Sequence, residues 1–421
     1  MTALIGPKLL PWAPEKTGQA MPEQDPSPRR GRAGLITWLL PARFAWRQLR
    51  AERARLFAAM AGVSFAVLLV FMQLGFRAAL FDSAMQLLGV MRGELFLINP
   101  LSLAITQPEP VPRARAFQAL ALTEVAQAVP VYMAQASWRH PRDGSRMSIQ
   151  VIGFDLDADA MHVQGLDRIA PALRRVDAVA FDTLSRPEFG DVAGIFAEGG
   201  PFGVQVENRM VDVVGLVTIG PSFAADGNLL TNEVNFGRIV RGRQPSKTDL
   251  VALRLRPGSD AVAAQRRLRT LLPPDTIVLT HAQLVARERR YWETATPIGF
   301  IFAFGSAMGL IVGMVIVYQI LFSDIASHLR AYATLKAIGY SNGYLARVVM
   351  AASLILAVIG FLPGAALSVL LYEVVAGATF MPLAMTVQRA ILVFGLIFGM
   401  CGAAGMLAMR KLRDADPADM F

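Results

Sequence analysis

Four stretches of the chain stay apolar long enough to cross a bilayer, which takes about 20 residues. They cover 56–76, 294–322, 348–372 and 390–409. The first has one polar intruder, Gln73. The second carries no charge between Glu293 and Asp324. The third contains Pro363-Gly364, and the fourth is fenced by Arg389 and Arg410. Roughly 30 residues at ~1.5 Å each exceed a ~30 Å hydrocarbon core, so the second stretch must tilt or project. A proline inside a helix removes a hydrogen bond and clashes with the preceding turn, which predicts a break or kink in the third.

Between the first and second stretches the period changes. Residues 94–98, 147–154, 177–181, 202–206, 210–219, 249–255 and 276–280 read as strands, and 116–128 and 261–272 as helices. Leu80, Ala84, Leu87 and Met91 continue a helical stripe outward from the first span. A charged helix over 283–293 leads into the second and ends at Tyr291 and Trp292, where an interfacial aromatic belt would sit. The pattern predicts an α-helical membrane protein with four transmembrane helices, one plus three. A large α+β domain (77–292) is inserted between helices one and two on a helical stalk.

Charge gives the orientation. Basic residues crowd ahead of span one (Arg29, Arg30, Arg32, Arg43, Arg47, Arg50, Arg53, Arg55), in the 323–347 loop (Arg330, Lys336, Arg347) and after span four (Arg410, Lys411, Arg413). The link 373–388 holds only Glu373. The positive-inside rule then puts both termini and the 323–347 loop in the cytoplasm and residues 77–292 and the 373–388 link outside. The net charge of +9 is thereby explained by topology, and a nucleic-acid partner loses its support. Residues 1–34 read as a flexible tail and 410–421 as a cytoplasmic tail. Residues 35–55 read as an amphipathic helix on the membrane surface, with Trp38, Leu40, Phe44 and Trp46 among arginines. Span one lies too far from the N-terminus for a cleavable signal.

Candidate chemistry is sparse. Cys401 is the single cysteine, and His140, His162 and His281 are scattered with no metal-binding or nucleophile motif. Asp182 and Ser185 are a conceivable catalytic pair, but their neighbourhood reads better as a strand-to-turn cap. No Gly-Lys pair exists in the chain, so no P-loop can be drawn. The chain is expected to be no enzyme and to bind no metal or cofactor itself. The spans hold no pair of ionisable residues of the kind that marks an ion-coupled path. Gly305, Gly309 and Gly313 recur every four residues on one face of span two, a flat ridge for helix packing or a dimer contact; Gly395 and Gly399 repeat the device in span four.

The 323–347 loop is the most informative segment. Ile325, Leu329, Tyr332 and Lys336 fall on one side of a helix, Gly339 suits its C-terminal cap, and Ser341 or Asn342 suits the start of the next helix. A bent helix pair would then offer Tyr332, Leu335, Ile338 and Tyr340 for docking. The loop YATLKAIGY (332–340) closely resembles that of DevC-like permeases, within the FtsX/MacB-type (type VII) class of ATP-binding-cassette membrane subunits. Further similar segments are NRMVDVVGL (208–216), SFAADGNLL (222–230), TPIGFIF (296–302), IVYQIL (316–321) and RKLRDADPAD (410–419).

The resemblance implies a homodimer in membrane lipid, with a cytoplasmic ATPase dimer carrying ATP-Mg below. A periplasmic adaptor and an outer-membrane duct would lie above, for tripartite efflux of a lipid-like or amphipathic substrate. It makes Tyr332, Leu335, Lys336, Ala337, Ile338, Gly339 and Tyr340 the ATPase coupling loop. At Arg330 and Ala331 the chain departs from the family's usual Pro and Glu. The alternative in the same class is an FtsX-type activator of a periplasmic cell-wall hydrolase, with no cargo exported.

Overall fold

The computed structural model describes residues 33–413 apart from 223–224, 296 and 380; side chains at 33–39, 329, 333, 337 and 411–413 also fall outside the description. The expected 1–34 tail and the end of the C-terminal tail lie largely outside the described residues.

Among the described residues, four helices are long and apolar enough to cross a membrane: span one, Arg53–Ala84; span two, Pro297–Ser327; span three, Asn342–Thr379; and span four, Val387–Arg413. A large α+β domain separates the first from the other three. Lipid tails are as apolar as leucine, so helices associate there by close backbone approach and dispersion. Span one is the helix the others pack on. Its Val63, Val67, Val70 and Phe71 are fully buried.

Glycines make the approach possible. A Cβ at Gly313 would lie 2.6 Å from the Ala66 Cβ and 2.8 Å from the Met400 sulfur, and one at Gly305 2.6 Å from the Gln73 amide. On span three, a Cβ at Gly360 would lie 2.5 Å from Val63 and one at Gly364 2.8 Å from the Ser64 carbonyl. The ridge Gly305-Gly309-Gly313 therefore faces span one of its own chain. By contrast, Gly395 and Gly399 meet nothing within 4 Å, so that expected ridge packs on no described residue of the chain.

Pro363 does not break span three, which is helical throughout 342–379. Inside a membrane the groups a proline frees are re-satisfied by neighbours. The carbonyl that Pro363 leaves without its helical donor is that of Ile359; one residue on, Ser64 Oγ donates to the Gly360 carbonyl at 2.9 Å and fastens the helix to span one, and Ser368 Oγ donates to that of Gly364 at 2.7 Å.

The domain is built on a nine-stranded mixed sheet. Its strands are β1 (Leu95–Ile98), β3 (Val125–Arg139), β4 (Arg146–Phe154), β5 (Ala178–Asp182), β6 (Phe202–Val206), β7 (Arg209–Val217), β8 (Asn228–Asn232), β10 (Leu250–Leu255) and β11 (Ile277–Thr280), in the order β11-β1-β10-β3-β4-β8-β5-β7-β6. The short β2 (Val111–Pro112) and β9 (Lys247–Thr248) pair separately. Successive strand residues point to opposite faces. Phe96, Ile98, Leu250 and Ala252 accordingly join one cluster with Leu87, Leu88 and Leu284, while Leu95, Leu97, Val251 and Leu253 join another with Leu268 of the helix Ala261–Leu271. Coverage of both faces is why β1 and β10 read as unbroken apolar runs.

Two elements depart from expectation. The helix expected over 116–128 is only Ala114–Ala119, and β3 begins at Val125. Pro130 masks this strand in the sequence. It is tolerated because β4 pairing starts only at Val131↔Phe154, so one side of the ladder is absent at Pro130. The second is an omission: β8 is not among the expected strands, since Asn228 and Asn232 bracket only Leu229, Leu230 and Thr231.

Overpacking a tight contact costs about 1–3 kcal/mol. Gly313→Ile should lower thermal stability in detergent by that order, whereas Gly399→Ala, which meets no neighbour, should leave the melting temperature unchanged. Equal effects of the two would contradict the packing described.

Candidate functional site: the capped turn between spans two and three

Span two ends at Ser327, and a short helix, Leu329–Ala337, follows. Its end is a double cap. Gly339 has φ +103°, a region that L side chains rarely adopt. The Tyr340 N–H donates to the Leu335 carbonyl at 3.0 Å and the Gly339 N–H to that of Lys336 at 3.1 Å. This 6→1 and 5→2 pair is a Schellman motif. Ser341 Oγ then accepts the Tyr344 N–H at 3.3 Å and caps span three. Two helix ends with satisfied backbone groups make a defined corner.

The corner presents part of the expected set. Ile338 is 70% exposed and Tyr340 44%, the latter with its ring 4.7 Å from that of Tyr344. Lys336 and Gly339 are exposed and Leu335 half-buried. The Ala337 side chain lies outside the described residues. Tyr332 differs from expectation: it is only 4% exposed and offers no docking surface.

The reason is the helix Ala33–Ala51. Gln48 Nε2 donates to Asp324 Oδ2 at 2.8 Å and to the Tyr332 hydroxyl at 3.1 Å. Ala45 and Leu49 are buried in one cluster with Tyr332, Leu345 and Val348. Burial pushes the Tyr332 phenol up to about 12, so it stays neutral. Arg55 adds a bond to Ser327 Oγ at 2.7 Å. The expected surface helix thus also clasps the ends of spans two and three. No local pattern could have shown it, since Gln48 and Tyr332 are 284 residues apart.

Asp182 and Ser185, the conceivable catalytic pair, are structural. Asp182 is fully buried and accepts from the backbone N–H groups of Ile219 (2.9 Å) and Gly220 (2.8 Å) and from the Asn228 amide (2.9 Å). These bonds tie the ends of β5, β7 and β8. Ser185 Oγ accepts the Asn228 N–H at 3.3 Å. Among the described residues, no group of His, Cys, Asp and Glu is arranged to hold a metal ion.

Residues 303–417, which contain most of span two, the capped turn and spans three and four, match the family described as FtsX-like permease C-terminal. No curated relative matches the chain. Solved structures with some similarity include the periplasmic region of MacB from Actinobacillus actinomycetemcomitans (12% identity, TM-score 0.34, 49% of this chain and 96% of that one). Another is the extracellular domain of the noncanonic ABC-type transporter YknZ from Gram-positive bacteria (14% identity, TM-score 0.30, 45% of this chain and 99% of that one).

A hydrogen bond of this kind is worth about 1 kcal/mol net. Tyr332→Phe should lose about that much stability and speed amide hydrogen exchange over 329–337. Unchanged exchange would mean that the tie to Gln48 does not hold the short helix.

Proposed function

We propose that this chain is the membrane-spanning, non-catalytic subunit of an ATP-binding-cassette system of the FtsX/MacB type, DevC-like in its loop. Two copies would sit in the inner membrane with both termini and the 323–347 loop in the cytoplasm. A separate ATPase dimer would dock on the capped turn, and ATP-driven closure would push it. Spans one and two would relay that push to the periplasmic domain, which would drive efflux of a lipid-like or amphipathic cargo through an adaptor and an outer-membrane duct.

The observation that carries this reading is the family match over residues 303–417, which includes a rigidly capped corner with an exposed isoleucine and tyrosine. Exposed apolar side chains beside a lysine, on a turn held by both of its helices, suit a partner that must press on the membrane half without slipping. The tie from Gln48 to Asp324 and Tyr332 suits the same task, because it makes the short helix move with span two.

Surface substitutions usually change stability by less than about 0.5 kcal/mol. Ile338→Asp should therefore leave the melting temperature unchanged while abolishing co-purification of an ATPase from gently solubilised membranes. The purified chain alone should hydrolyse no ATP. Hydrolysis by the chain alone, or an ATPase retained by Ile338→Asp at wild-type yield, would defeat the proposal.

A further inference from the structure

Away from the membrane, the domain holds a cavity of about 260 Å³ whose lining includes Arg113, Tyr132, Glu233, Gly237, Arg243 and Lys247. Its walls come from four places: the β2 end, Tyr132 of β3, the helix Glu233–Ile239 and the loop leading into β9. The β2–β9 pairing and an Arg113 N–H to Ser246 carbonyl bond of 2.7 Å lock two of them together. The site is framed by backbone structure rather than by side chains alone.

Its polar groups are only partly used. Tyr132 is 7% exposed, and its hydroxyl has no hydrogen-bond partner among the described residues, although it lines the cavity. The hydroxyl opens to the cavity, where water or a ligand can meet it. Burial also raises the Tyr132 phenol above its ordinary value, so the hydroxyl keeps its proton and can donate. The Arg113 Nε–H is sealed from solvent and does not open to the cavity, while its Nη2 holds Glu233 at 3.1 and 3.2 Å. Lys247 makes no ion pair with any described residue. Arg243 is already fixed, by Asp249, by the Met133 carbonyl at 2.8 Å and over the Phe236 ring at 5.5 Å.

Arg113 is paired with Glu233 and Arg243 with Asp249, which leaves Lys247 as the unpaired lining cation, an excess of one positive charge (3 − 2). A carboxylate ligand would neutralise it and offer two oxygens. A phosphomonoester carries roughly 1.5 to 2 negative charges at neutral pH and three acceptor oxygens, one acceptor more than a carboxylate for the Tyr132 hydroxyl and the several N–H donors of the Lys247 ammonium. The volume falls just below the ~300 Å³ at which drug-sized pockets begin, which fits a head group with a short stub. Val234, 62% exposed at the rim, leaves an apolar exit for whatever the head group carries.

We propose that this cavity is a binding site for a phosphate-bearing head group, held by the Tyr132 hydroxyl and the Lys247 ammonium. The inference is independent of how the membrane half is driven.

The test is titration of the full chain in neutral detergent with glycerol 3-phosphate and with dihexanoyl phosphatidic acid, by isothermal calorimetry. Binding of both at similar affinity assigns the site to a soluble phosphomonoester; binding of the phosphatidic acid alone assigns it to a lipid head group. Tyr132→Phe and Lys247→Gln should each weaken binding about tenfold. The lysine variant removes no ion pair or side-chain hydrogen bond among the described residues, so it remains informative if the tyrosine variant folds poorly. No heat of binding with either probe, or wild-type affinity in both variants, would overturn the assignment. Hexanoate binding as tightly as the phosphates would overturn the choice of phosphate.

Discussion

Close backbone contact around span one is the constraint on which the membrane half depends. In lipid there is no water to expel, so helices hold together only where atoms touch. Glycines at 305, 313, 360 and 364 let spans two and three reach the valines and alanine of span one. Polar groups finish the contact where geometry leaves a carbonyl to spare, as Ser64 does for Gly360. Tyr372 does the same by donating to the Phe71 carbonyl. A span stitched by both devices can contain Pro363 and remain one helix.

The same logic extends to either end of the bundle. On one side, the helix Ala33–Ala51 brings Gln48 to Asp324 and Tyr332, so that the turn, the end of span two and the start of span three share one hydrogen-bonded and apolar cluster. On the other, span one ends at Ala84 and the helix Gln86–Val90 carries Leu87 and Leu88 straight into the core beneath β1 and β10. Leu284, ahead of span two, enters the same core. The domain therefore grows from the stalk and shares its core with it.

How much of this was legible in the sequence follows from the range of each interaction. The spans, the one-plus-three order and most strands show because burial leaves a local period, as in the double-sided apolar runs of β1 and β10. The cap at Gly339 shows because one residue type solves one backbone problem. What stayed hidden depends on partners far along the chain. β3 is disguised by Pro130, acceptable only because its neighbour strand stops one residue short. The burial of Tyr332 depends on Gln48, and the role of Asp182 depends on amides just after β7 and at the start of β8. The glycine ridge was visible as a ridge, but nothing local told whether it faced span one or a second copy.

The two legs that join the domain to the bundle are unequal. Span one is an uninterrupted rod of 32 residues, about 48 Å at ~1.5 Å per residue. The other leg passes through a π-helical turn at Tyr291–Ala295 before span two begins, a weaker arrangement of the helix ladder. Two ion pairs lace the legs, Arg77–Glu293 at 3.4 Å and Arg289–Asp82 at 3.7 Å, but exposed pairs of this sort are worth little. One strut is stiff and its neighbour has a knee. Tilting of the head would be taken up at that knee, so its natural movement is a nod about the first leg rather than a lift along the membrane normal.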